Sequence, residues 1–169
     1  MARTEIERSV QPSLLDRLTD REPSLRADPP VTREESERAF RKSVERDVES
    51  LLNTRRTMLP APEGFTELHR SVYEYGLLDS TGVGVGTKVG RERILEALRD
   101  TIDRFEPRLV HTRVRLVDAD QGKAPQMRFV IESTLRMDPD HEQVMFDTVL
   151  EIASGEFDVH ATDALSAGG

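Results

Sequence analysis

The sequence predicts an α+β fold in which about three helices pack on one face of a small antiparallel β-sheet of about four strands. One observation sits at Pro107, where the hydrophobic period changes. Ile94, Leu95, Leu98, Ile102 and Phe105 recur at intervals of three and four, the spacing of one helix face. Beyond the proline, Val110, Thr112, Val114 and Leu116 alternate with His111, Arg113 and Arg115. The second observation is that alternation resumes in later stretches, across segments rich in the Gly, Pro and Asp of hairpin loops. Strands that follow one another after a run of helices form an antiparallel sheet, with the helices covering one face.

Taken in order, Met1 to Val10 is polar, and Pro12 then introduces a short helix carrying Leu14, Leu15 and Leu18. So short a helix either lies on its own domain or docks on a partner. Thr19 to Pro30, with Pro23, Pro29 and Pro30, reads as linker. Thr32 and Glu35 have capping-box spacing ahead of the stripe Phe40, Val44, Val48, Leu51 and Leu52, giving a helix over about 33–54. Its other face, with Arg38, Arg41, Lys42, Glu45, Arg46 and Glu49, is a solvated charged face. Arg55 and Arg56 follow, where cations complement a helix C-terminus; gripping an acidic neighbour is their functional alternative.

Phe65, Leu68, Val72 and Tyr75 suggest a second, shorter helix ending at Gly76. The glycine-rich segment from Asp79 to Gly90 reads as a connector, because Lys88 lacks the flanking Gly and Ser or Thr of a phosphate-binding loop and no strand leads into it. A third helix over about 91–104 reaches Pro107, which lacks an amide proton and disfavours helical geometry at Glu106. Glu106 and Arg108 are thereby held at a stiff corner. Strands follow around Val110–Leu116, Met127–Leu135 and Val144–Ile152, with a short last one at Phe157 and Val159 and a small-residue tail from Thr162.

Composition narrows the function. The 169-residue chain suits one domain with a proper core; it is 33% charged and carries a net charge of −8, which disfavours non-specific binding to nucleic acid or to an anionic membrane. No run reaches the roughly 20 apolar residues that span a bilayer, and no signal-peptide pattern opens the chain. The absence of cysteine removes disulfides, thiolate metal sites and cysteine nucleophiles, in agreement with a cytoplasmic protein.

Phe105-Glu106-Pro107-Arg108-Leu109 at a helix-to-strand corner, Leu51-Leu52-Asn53-Thr54-Arg55-Arg56 and Ser71, Val72, Tyr75, Gly76 and Leu77 upstream, taken in this order, resemble the TssE-like family of contractile-machine baseplate wedge proteins, which share the Glu-Pro-Arg signature and once carried a lysozyme label. The resemblance covers about Gln11 to Ile152 and includes the Pro12-Ser13-Leu14-Leu15-Asp16-Arg17-Leu18 pattern. It implies residues 1–31 as an arm with a docking helix, 32–161 as the wedge domain and 162–169 as a tail. It implies a non-enzymatic part of the type VI secretion baseplate, docked at the membrane, that joins TssF and TssG and starts the TssB/TssC sheath. Partner-binding residues on this reading are Glu106, Pro107, Arg108, Arg55, Arg56, Leu14, Leu15 and Leu18.

The lysozyme label makes glycoside hydrolysis the enzymatic alternative. That chemistry needs two carboxyl groups flanking a sugar, one with its pKa raised. Arg104 and Arg108 beside Glu106 favour its charged form instead, and no second carboxylate is marked out. With no Trp and two Tyr, little aromatic surface is left for sugars. The four histidines, His69, His111, His141 and His160, never fall at paired metal-ligand spacing, and no serine sits in a nucleophile elbow. No cofactor or metal is expected. Glu106 and Arg108 then have two readings: an internal pair that fixes the corner, or charges projected to a partner.

Overall fold

The structure, a computed structural model, describes residues 10–19, 24, 32–59, 61–78, 87–120, 125–137 and 141–162, with 118–120 as backbone only. The glycine-rich segment 79–86, most of the expected linker, both hairpin-loop interiors and the tail beyond Thr162 lie outside the described residues. Three α-helices are present among the described residues: α1 (Leu14–Leu18), α2 (Arg33–Asn53) and α3 (Lys88–Phe105). Four strands follow: β1 (Leu109–Asp120), β2 (Gln126–Arg136), β3 (His141–Glu151) and β4 (Glu156–Thr162). They form one antiparallel sheet in the order β1-β2-β3-β4. The α+β architecture read from the period change is the one observed.

The chain divides into two compact units within α2, the first ending at Val44 and the second beginning at Glu45. In the first unit, α1 starts at Ser13, whose hydroxyl accepts the Asp16 amide at 3.2 Å. The Thr32 amide donates to Glu35 Oε2 at 2.9 Å and the Glu35 amide to Thr32 Oγ1 at 3.3 Å, the reciprocal capping box that opens α2. Val10 is tied down through its amide, which donates to Ser36 Oγ at 2.6 Å.

The second unit owns the sheet. Its core comprises Val48, Leu51 and Leu52 from α2, Ile94, Leu98 and Ile102 from α3, and one side-chain row from each of β2, β3 and β4, including Phe129, Ile131, Phe146, Leu150, Phe157 and Val159. Helix α3 packs against β1. β2 and β3 pair without interruption from Gln126 opposite Glu151 to Arg136 opposite His141. β1 is less regular, with shifts between Val110 and Arg113 and between Leu116 and Asp118, and with His111 in the left-handed region at φ 59°. These are bulges, each putting one extra residue on β1.

The segment expected as a second helix is different. It is a single 3₁₀ helix, Thr66–Arg70, followed by turns. Ser71 stops it, its hydroxyl and its amide both donating to the Leu68 carbonyl, at 2.9 and 3.2 Å. Phe65 and Val72, counted toward an apolar stripe, are 62% and 91% exposed. Gly76 caps no helix. The chain returns there to the end of α2, with the Leu77 amide donating to the Thr54 carbonyl at 2.9 Å and the Arg56 amide to the Leu77 carbonyl at 2.8 Å. Gly76 has φ +99°, and a Cβ on it would lie 2.2 Å from the Thr54 carbonyl oxygen, so only glycine fits. No helix among the described residues is long and apolar enough to cross a membrane.

Candidate functional site

The corner is built by helix termination. The Glu106 amide makes the last helical bond, to the Ile102 carbonyl at 2.8 Å, and Pro107 cannot continue the series. The Leu109 amide then donates to the Glu106 carbonyl at 3.0 Å, and β1 begins. Pro107 is exposed, whereas Glu106 is 4% exposed.

A carboxylate so buried needs a cation, and Arg108 supplies it. Its Nε donates to Glu106 Oε1 at 2.6 Å and its Nη2 to Glu106 Oε2, a bidentate fork. Nη2 also donates to Asp47 Oδ2, on α2, at 2.7 Å. Burial works against the Arg108 charge, but the hydrogen bonds to Glu106 and Asp47 outweigh it and hold the guanidinium above its ordinary pKa. Tyr75 closes the cluster, its ring edge-on to Phe105 with centroids 5.4 Å apart. Burial, and then the charges of Asp47 and Glu106, push the Tyr75 phenol up against a smaller opposite effect of its hydrogen bond with Ser50.

A second cluster lies next to the first. Glu74 is 7% exposed and is met by Arg104 Nη1 at 2.7 Å, His69 Nδ1 at 2.8 Å and, more distantly, Arg56 Nη1 at 3.7 Å. Burial pushes the Glu74 carboxyl up, but the His69 hydrogen bond and the charges of His69, Arg56 and Arg104 outweigh it, so the net shift is down. Arg104, read as a neighbour of Glu106, instead serves Glu74 and lies over the Phe105 ring at 5.9 Å. Arg55 faces the other way, its Nη2 donating to the Ser154 carbonyl at 2.9 Å in the β3–β4 turn.

The candidate residues therefore separate. Glu106, Pro107 and Arg108 form one corner, Arg56 approaches the neighbouring Glu74 cluster, and Arg55 serves a turn. Leu14, Leu15 and Leu18 are 70%, 64% and 75% exposed on α1. Asp47 and Glu74 escaped the sequence reading. Asp47 had a readable signal: it sits three residues after Val44 and four before Leu51, so a carboxylate borders the apolar stripe of α2. Glu74, in an irregular segment, carried none.

The chemistry of this arrangement is that of a clamp. Both Glu106 oxygens are occupied by Arg108, and Asp47 meets the same guanidinium. Glu106 and Asp47 are bridged by one guanidinium, whereas glycoside hydrolysis uses two carboxyl groups that flank a sugar. Among the described residues no group of three or more His, Asp or Glu side chains is placed to hold a metal ion.

Comparison with curated proteins and with solved structures finds no match. A protein family described as baseplate wedge protein gp25 matches residues 38–140, more than half of the chain and the stretch that contains the corner, its Asp47 anchor and the Glu74 cluster. The chain belongs to the baseplate wedge protein gp25 family, and its part is that of a baseplate subunit.

Proposed function

We propose that this chain is the TssE-type wedge subunit of a type VI secretion baseplate, joining TssF and TssG at the cytoplasmic face of the membrane and starting the TssB/TssC sheath. The observation that supports this most is the corner: a clamp of the buried Glu106 with the half-buried Arg108 and Asp47 behind an exposed Pro107, fixed to the first residue of a sheet edge. Glu106 and Arg108 then act by setting the angle at which Pro107 and β1 meet a neighbour. Arg108 keeps 21% of its side chain exposed, so it remains in reach of a partner carboxylate. Sheath initiation follows if the sheet takes up an extended segment of the sheath as an added strand, main-chain pairing giving adhesion and the corner giving register.

Leu14, Leu15 and Leu18 fit the same role as an apolar docking face. Residues 1–31 would form the arm that carries it, 32–161 the wedge domain and 162–169 the tail. Arg55 and Arg56 are supporting contacts. Affinity purification of a tagged copy from its native cell, with mass spectrometry of retained proteins, tests the assignment. Recovery of TssF and TssG is expected. Their absence, with expression verified, overturns it.

A further inference from the structure

We infer that β1, not β4, is the edge on which a partner strand adds, and that the strand it takes alternates acidic and apolar side chains. This rests on the reading of the sheet as a strand acceptor and supplies its site and partner chemistry. The outer side of β4 is already bonded to α2. Asn53 donates to the Phe157 carbonyl and accepts the Phe157 amide, both at 2.8 Å, and Glu45 accepts the Ala161 amide at 3.2 Å. A guest strand there would have to break these bonds.

β1 is different. The Arg136 amide donates to the Arg108 carbonyl at 2.8 Å, and Arg113 and Arg115 lie opposite Glu132 and Val130. Along β2, residues 136, 132 and 130 share one parity, so Arg113 and Arg115 turn their backbone groups toward β2, and Val114 and Leu116 turn theirs outward. Among the described residues, no backbone hydrogen bond from another element reaches Val114 or Leu116. Beside them, α3 and β1 border a groove of about 400 Å³, lined by Leu95, Thr112 and Val114, with the exposed Glu92, Glu96, Arg99 and Arg113 also at its border.

Geometry then dictates the guest. Its residue opposite Val114 points to the groove side and is apolar; the residues flanking that one point to the other face, next to Arg113 and Arg115. Both arginines are exposed, and Arg113 has no carboxylate partner among the described residues. Asp or Glu is favoured at those positions. A second copy is disfavoured, because antiparallel pairing of two β1 strands about Val114 sets Arg113 of each against Arg115 of the other.

The test uses the full chain and two octapeptides, one alternating Glu and Val and one alternating Lys and Val, with backbone amide exchange followed by NMR. The Glu/Val peptide is expected to bind about tenfold tighter at low salt, as two favourable cross-strand charge pairs replace two repulsive ones. It should slow exchange at Val114 and Leu116, and the Arg113→Glu/Arg115→Glu double variant should reverse the preference. Protection at Val159 instead, equal binding of both peptides, or protection by neither overturns the inference. Affinity purification separates this from the sheath reading. Sheath subunits retained at full level by the double variant overturn β1 as the edge and leave that reading standing, whereas none retained by the unaltered protein overturns the reading itself.

Discussion

Arg108 and Arg113 stand five residues apart on the same run of chain, and they do opposite things. Arg108 is folded inward, its guanidinium shared between Glu106 and Asp47. Arg113 and Arg115 stand on the far side of the first bulge with their side chains in solvent, where Arg115 meets only the half-buried Glu132. The contrast teaches that a charge near a corner says little about its job until burial is known. An ion pair with a buried member holds the fold, because removing either partner strands a charge away from water. An exposed cation contributes almost nothing to the fold and is free to choose a partner.

The contrast can be broken most sharply at Glu106. Glu106→Ala is expected to cost about 3 kcal/mol of stability by leaving Arg108 half-buried without its main partner, measured by urea unfolding. A loss under 1 kcal/mol would mean that the clamp is ornamental. Acid sharpens the same point at the neighbouring cluster. The Glu74 carboxyl is held below its ordinary value of about 4.3, so its contribution is fully present above that pH and disappears as the pH falls through the lower folded value. Melting temperatures from pH 7 to pH 3 should therefore fall less steeply at the acid end in Glu74→Gln than in the unaltered protein; parallel curves would exclude Glu74 as a source of acid lability. The smallest effect is expected at the edge, where Arg113→Ala/Arg115→Ala should shift stability by within about 0.5 kcal/mol per site. A larger loss would mean that these arginines are structural after all.

What sequence reasoning could reach follows the same divide. Periodicity placed α2, α3 and the strands because their packed faces repeat at fixed intervals, and Thr32 with Glu35 announced its own cap. The segment around Phe65 and Val72 misled because four apolar residues at helical spacing imply a helix only where something covers them. There the chain is tied by Leu77 to Thr54 and Arg56, and no packed face forms. At the corner, Glu106 and Arg108 were legible as a stiff pair because proline's constraint is local. Their third member was not: Asp47 lies 61 residues upstream of Arg108, and only tertiary packing brings the two together.

The two bulges of β1 leave one more consequence. Only Arg113 to Leu116 lie between them in unbroken register, so a guest strand finds a reading frame four residues long. Sliding by a single position would carry its acidic side chains into the groove and its apolar ones onto the arginines, so misaligned capture is rejected. A grip that short is also weak and quickly reversible, and it becomes durable only when several such grips are made at once.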